Sequence, residues 1–266
     1  MIKVTNLSNG YTAEEILHDI NINIPAGKIT VIVGPNGCGK STLLKTFCGI
    51  LPFSKGTIQL NGQPLNSYTP QMLARQISYL AQSRQVPDIT VQRMVLHGRF
   101  PYLSYPRRYR AADLQIAGDA MIRMGIEALA DTPLNQLSGG TRQKVYIAMA
   151  LAQDTPVILF DEPTTYLDIS HQLQMMEHAR FLCQEGKTVV MVLHDLSMSL
   201  QIADQMIVMN KGRVVKQGTP QEIFDSKCLN NVFGVELSRI QTRTGWHYYC
   251  EALTNTYETT ETGGFY

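Results

Sequence analysis

Gly34-Pro35-Asn36-Gly37-Cys38-Gly39-Lys40-Ser41, with Thr42 next, reads as Gly-x4-Gly-Lys-Ser. The apolar run Ile29–Val33 stands directly before it, and the segment Thr42–Ile50 directly after it has helical character. The octet therefore occupies a strand-to-helix turn, the context in which this spacing has a physical meaning. Glycines let successive backbone N–H groups wrap round a phosphate, and the helix N-terminus adds a favourable dipole. Lys40 is the candidate bridge between the β- and γ-phosphates of ATP, and the Ser41 hydroxyl the candidate ligand for Mg²⁺. The motif alone leaves the phosphate chemistry open.

Working outward, short apolar runs recur at Val157–Phe160, Val189–Leu193 and Met206–Met209. They are apolar throughout rather than alternating, as strands buried on both faces of a parallel sheet are. A helical segment is expected after each, giving an α/β core with right-handed crossovers. Ile2–Leu7, His18–Ile24 and Thr57–Leu60 alternate more and are bounded by Asn9-Gly10, Pro25-Ala26-Gly27 and Asn61-Gly62, read as turns. These predict a small antiparallel sheet beside the core. Between about residues 84 and 154 no strand-like run occurs, and patterns such as Ala111–Met124 fit amphipathic helices inserted into the α/β unit. The polar, threonine-rich end, Thr254–Tyr266, is expected to be a mobile tail.

Composition narrows the function classes. Of 266 residues, 44% are hydrophobic and 17% charged, a globular balance. The formal net charge of +1 supplies no basic field, so nucleic acid is not an expected partner. Arg107, Arg108 and Arg110 read as a solvated turn. The five cysteines show no Cys-x-x-Cys pair, which argues against a zinc site or a disulfide framework and fits a reducing compartment. The start, Met1-Ile2-Lys3-Val4-Thr5-Asn6, lacks the apolar core of a signal peptide, and no stretch approaches the roughly 18 apolar residues of a membrane span. Service to a membrane would thus run through a partner.

Val157-Ile158-Leu159-Phe160-Asp161-Glu162 is an apolar strand ending in adjacent carboxylates. Asp161, beside the phosphate loop, is the candidate for holding the magnesium shell through water. Glu162 is the candidate for polarising a water for in-line attack on the γ-phosphate.

Leu137-Ser138-Gly139-Gly140-Thr141-Arg142-Gln143 closely resembles the signature of the ABC ATPases, departing at Thr141, where glutamine is usual. Ser138 is a good N-cap for the helix that follows, and Gly139 and Gly140 leave N–H groups free at a helix start, a second anion site on the same chain. The resemblance covers roughly residues 1 to 235, leaving 236–266 as a C-terminal extension. It implies an α/β P-loop ABC ATPase fold with a RecA-like parallel sheet core, an N-terminal antiparallel β subdomain and an inserted helical subdomain (about 84–154). It also implies two ATP molecules sandwiched in a head-to-tail homodimer, each held by the phosphate loop of one copy and the signature of the other. Gln82 looks like the glutamine that contacts Mg²⁺ and links to the helical lobe, and Asp168 resembles the aspartate of the D-loop. His194 resembles the histidine that senses the γ-phosphate, and Tyr11 is placed like the aromatic that stacks on adenine.

Val95-Leu96-His97-Gly98-Arg99-Phe100-Pro101-Tyr102 and Phe160–Gln172 resemble the subfamily that energises uptake of ferric siderophores, haem and cobalamin. The resemblance implies a polytopic membrane permease as partner, a substrate-binding protein as indirect partner, and a peripheral place at the cytoplasmic face of the inner membrane. A soluble ABC ATPase of translation or repair would show two cassettes or a long coiled-coil insertion. A GTPase would carry Asn-Lys-x-Asp, whereas Asn210-Lys211-Gly212-Arg213 lacks the aspartate. Cys38, inside the phosphate loop at a helix start, is expected to have a lowered thiol pKa, or else to be a small residue tolerated in a tight turn.

Overall fold

The computed structural model describes residues 1–11, 14–81, 86–164, 168–243 and 245–252. The chain opens with β1 (Ile2–Tyr11) and β2 (Glu14–Ile24), then β3 (Ile29–Val33), α1 (Lys40–Phe47), β4 (Lys55–Leu60) and β5 (Gln63–Pro64). Next come α2 (Pro70–Ala74), β6 (Ile77–Leu80), α3 (Val91–His97), α4 (Ala111–Arg123) and α5 (Gly139–Gln153). The alternation β7 (Val157–Asp161), α6 (Ile169–Gln184), β8 (Thr188–Val192), α7 (Leu196–Ile202) and β9 (Gln205–Asn210) follows. β10 (Arg213–Gly218), α8 (Pro220–Asp225), α9 (Cys228–Phe233), β11 (Val235–Thr242) and β12 (Gly245–Ala252) complete the described chain.

The central sheet has the order β10-β9-β3-β8-β7-β6, with β9, β3, β8, β7 and β6 parallel. Successive residues of each central strand enter different cores because strand side chains alternate faces. Val31, Val33, Ile158, Phe160, Val189 and Met191 pack with α3, α5, α6 and α7. Ile32, Val157, Leu159, Val190 and Val192 pack with Leu43, Leu44 and Phe47 of α1 and with the second sheet. Both faces being covered, the strands are apolar throughout, as their sequence implied. The second sheet, β2-β1-β4-β5, is antiparallel and seals α1 against the core.

Two expectations need correcting. No helix follows β9: Lys211 (φ 45°) and Gly212 (φ 75°) form a two-residue hairpin into β10, which pairs antiparallel. Positive φ at both loop residues is what a type I′ hairpin requires. Asn61 (φ 53°) and Gly62 (φ 80°) form such a turn as expected, but Asn9-Gly10 does not. Those two lie inside β1, where the buried Asn9 side chain donates to Thr46 Oγ1 of α1 at 3.0 Å. A side chain whose amide is satisfied by tertiary contact overrode a local turn signal.

The helices α3, α4 and α5 lie in the chain between β6 and β7 and are locked at the end of α5. Arg99 and Asp113 form a buried pair at 3.1 Å, and Arg99 also donates to the Ala152 carbonyl at 2.8 Å. Tyr102 lies under the Arg99 guanidinium, 3.9 Å from ring centre to Cζ, and its hydroxyl donates to the Gln153 carbonyl at 2.9 Å. Gln153 in turn donates to the Ala74 carbonyl at 2.7 Å. The segment 236–252, for which the sequence reading offered no structure, forms with Val235 the hairpin β11–β12, packed on α7. The expected tail Thr254–Tyr266 lies outside the described residues.

Candidate nucleotide site

The phosphate loop leaves β3 and enters α1 where the sequence places it. Two of its glycines are forced. A Cβ on Gly34 would lie 2.3 Å from the Met209 carbonyl oxygen of β9, backbone against backbone. Gly39, the N-cap of α1, has φ 100°, and a Cβ there would meet Leu17 at 2.7 Å. Pro35, Asn36 and Gly37 form the outer turn, Asn36 and Gly37 exposed and Gly37 at φ 77°. Lys40 is buried, and its ammonium donates to the carbonyls of Gly34 (2.7 Å) and Pro35 (3.1 Å), at the centre of the loop. Thr42 is buried one turn into the helix, its carbonyl accepting from the Thr46 hydroxyl at 2.7 Å.

Asp161 ends β7 on the face shared by Val157 and Leu159, the α1 side, so its carboxylate meets Ser41. The Ser41 hydroxyl donates to Asp161 Oδ1 at 2.9 Å. Tyr79 of β6, paired in register with Leu159, donates to the other oxygen at 2.8 Å. Burial, and then the bond to Asp161, raise the Tyr79 phenol above its ordinary value, so it stays a protonated donor. The sequence reading missed Tyr79, which shares its short strand with a second hydroxyl residue, Ser78, and so carried no distinguishing signal.

The chain leaves β7 through Glu162 at φ 54°, a left-handed conformation uncommon for glutamate. This turn brings Glu162 Oε1 to 2.6 Å from His194 Nε2, just beyond β8, the neighbouring strand. The structure thus joins Glu162 and His194 into one pair, 32 residues apart in sequence but adjacent across the sheet. Tyr11 ends β1 half-exposed, its hydroxyl accepting from Lys45 of α1 at 3.2 Å. The Lys45 nitrogen is 5.7 Å from the ring centre, so the contact runs along the hydroxyl and not over the face of the ring.

At Cys38 the structure decides between the two alternatives. It is buried, and burial pushes its thiol pKa up, outweighing the lowering effect of Lys40. Here the small residue filling a tight turn is the reading that holds: the sulfur lies where a Gly34 Cβ would come within 2.6 Å.

Ser138 is the N-cap of α5, its hydroxyl accepting from the Thr141 backbone N–H at 3.2 Å. It also shares a 2.9 Å hydrogen bond with the Thr141 hydroxyl, so the unusual residue of this signature acts on the cap itself. Ser138 and Gly139 are exposed, whereas Gly140 is covered by the imidazole of His171. Asp168 is the N-cap of α6. It accepts from the His171 N–H (2.9 Å), the Ser170 hydroxyl (2.8 Å) and the His171 ring, and these bonds lower its pKa to about 2. Gln82 lies outside the described residues, as do Thr165, Tyr166 and Leu167.

Among the described residues no helix is long and apolar enough to cross a membrane, and no group of three or more His, Cys, Asp or Glu could hold a metal by itself. A hydroxyl and a carboxylate in contact beside a phosphate cradle are nonetheless the hard oxygen donors that suit Mg²⁺, which keeps several of its own waters and binds with the phosphates.

The sequence profile of the ABC transporter family matches residues 17–165. The achromobactin transport ATP-binding protein of Dickeya dadantii is 41% identical over 86% of both chains. The ferric enterobactin transport ATP-binding protein of Escherichia coli is 41% identical over 86% of this chain and 85% of its own. Among solved structures, a metal-chelate type ABC transporter in an inward-facing conformation matches with a TM-score of 0.81 and 29% identity, over 94% of this chain and 96% of that one. With a nucleotide cradle, a paired acid and histidine and a capped signature helix on one α/β frame, the chain belongs to the ABC transporter family and is one of its ATPases.

Proposed function

We propose that the chain is the ATP-hydrolysing subunit of an importer for ferric siderophores, working as a head-to-tail pair on a membrane permease. The observation that carries the pairing is the placement of the two anion-binding helix starts. α1 packs in the core on one face of the central sheet, with Val157 and Leu159, and α5 in the core on the other, with Ile158 and Phe160. One triphosphate held by Lys40 and Ser41 then meets a signature most simply when a second copy supplies it. Relatives named for achromobactin, iron(3+)-hydroxamate and ferric enterobactin support the cargo.

In this reading residues 1–235 are the nucleotide-binding unit, with the helical lobe at about 84–154 inserted and 236–266 appended. Gly34 to Gly39 cradle the β-phosphate, Lys40 neutralises the β- and γ-phosphates, and Tyr11 supports the adenine. Ser41, with Asp161 and Gln82 behind it, would hold magnesium, which would supply charge neutralisation at the γ-phosphate. Glu162 accepts hydrogen from the attacking water while His194 fixes its carboxylate, and Ser138, Gly139 and Gly140 of the partner copy close over the γ-phosphate. Asp168 lines the seam between copies. Closure is favoured because only the paired state adds the signature contacts. The permease docks on the groove between α2 and Phe100–Arg107, and the subunit sits peripherally at the cytoplasmic face, with a substrate-binding protein on the far side.

The test is copurification with the polytopic membrane protein, followed by ATPase assays with binding proteins loaded with different ligands. Stimulation by a ferric-siderophore-loaded binding protein is expected. Stimulation by cobalamin- or haem-loaded protein alone would replace the cargo, and turnover independent of subunit concentration at high dilution would overturn the pairing.

A further inference from the structure

His171 touches two things at once. Its Nδ1 is 2.7 Å from Asp168 Oδ1. The far edge of the ring lies against the signature backbone: a Cβ built on Gly140 would fall 1.9 Å from both Nε2 and Cδ2. The Asp168 carboxylate is ionised at neutral pH and can only accept, so Nδ1 carries the hydrogen. The opposite edge of the same ring, Nε2 and Cδ2, then lies beside Gly140 in the first turn of α5. A side chain at 140 would displace the imidazole. α6 and α5 meet at this ring and again one turn on, where Gln143 Nε2 lies 4.0 Å from Met175 Sδ.

Resting on the paired reading above only for its consequence in the ATPase cycle, we propose that His171 is a positioning residue, a strut that ties the Asp168 carboxylate to the backbone of the signature turn at Gly140. A shift of Asp168 at the seam between copies is then felt by the signature of the same subunit, the surface that covers the partner's nucleotide. Gly140 precedes Asp168 by 28 positions and His171 by 31, so the link to the signature exists only through the fold.

Three variants of the full chain separate the two ends of the strut. Asp168→Asn keeps a good N-cap for α6 and removes the charge that holds the ring. His171→Asn retains an N–H near the Nδ1 position but lacks the edge that reaches Gly140. His171→Ala removes both. Hydrogen exchange of the amides from Gly139 to Arg142 is the readout, with the amides of Met175–Leu182 in the same helix as His171 as the internal control. All three variants are expected to speed exchange in the signature by about threefold or more while the control stays at the native rate. Asp168→Asn combined with His171→Ala should add nothing beyond His171→Ala alone, because both act through one ring.

Unchanged exchange at the signature in His171→Ala overturns the strut, and so does equal loosening of signature and control. For the consequence, in the Glu162→Gln background the ATP concentration for half-maximal pairing should rise about fivefold when His171→Ala is added. If Glu162→Gln itself gives no nucleotide-dependent pair, the paired reading fails while the exchange measurement still decides the strut.

Discussion

Replacing Glu162 by glutamine separates catalysis from stability by amounts that the structure sets. The substitution is nearly isosteric, keeps the left-handed backbone at φ 54° no worse than before, and still offers an amide oxygen to His194 Nε2. What it removes is the charge and the ability to take a proton from water. The Glu162 side chain is 15% exposed and that of His194 43%, so the contact is screened by solvent and worth at most about 1 kcal/mol. In a chain of this size that moves the melting temperature by no more than roughly 2–4 °C. Loss of a positioned general base costs about 10²- to 10⁴-fold, or about 3–5 kcal/mol of barrier. Phosphate release at saturating Mg-ATP should therefore fall at least a hundredfold, while the thermal transition and nucleotide affinity stay close to native. Turnover within about threefold of native would refute the assignment of Glu162 as the base. A drop in turnover accompanied by a melting shift of 10 °C or so would refute the claim that the pair is energetically minor.

Tyr79→Phe removes the donor to Asp161 Oδ2, a charge-assisted bond worth about 1.5–3 kcal/mol, and should raise the Mg²⁺ concentration for half-maximal ATPase by about tenfold. Unchanged metal dependence in a titration would reduce Tyr79 to packing. Burial raises the Cys38 thiol, so at neutral pH less thiolate is present and alkylation should be slower than for a free thiol, still rising above pH 9, and slower again with Mg-ATP; fast, nucleotide-independent labelling would contradict this. Asp168 titrates near pH 2 when folded against 3.8 ordinarily, so its contribution to stability is complete above about pH 4 and fades as pH falls towards 2, which carbon-13 titration of its carboxyl would record.

Sequence was most informative where chemistry is contiguous. The phosphate loop, the Asp161-Glu162 pair and the Leu137–Gln143 signature each carry their meaning in a few adjacent residues, because backbone N–H groups or a strand end do the work. Tyr79 and His171 were invisible for the opposite reason. Tyr79 acts on a residue 82 positions away and His171 on the backbone of one 31 positions earlier, through registers that only the folded sheet and helices define. Asn9-Gly10 and Asn61-Gly62 show the limit of local signals: the same dipeptide is a strand interior in one place and a type I′ turn in the other. Of the two readings of Cys38, the lowered thiol pKa fails because a helix dipole can be inferred from sequence order, but the burial that outweighs it cannot. The β11–β12 hairpin did leave a trace, in the alternation of Val235–Ser238 and the glycine at 245.

The anchoring of α5 at its C-terminal end has a mechanical consequence. The helix has 15 residues, about 22 Å of stiff rod, with Ser138 at its tip and with Ala152 and Gln153 gripped at its base by Arg99 and Tyr102. A Cβ on Gly98 would lie 2.2 Å from the Met149 carbonyl oxygen, so the two backbones are already in contact and cannot slide past each other without separating. Force applied at the Phe100–Tyr102 turn therefore has no soft joint in which to dissipate before it reaches the tip. Over that span a tilt of 5° swings Ser138 by about 2 Å, the difference between a hydrogen bond made and one lost.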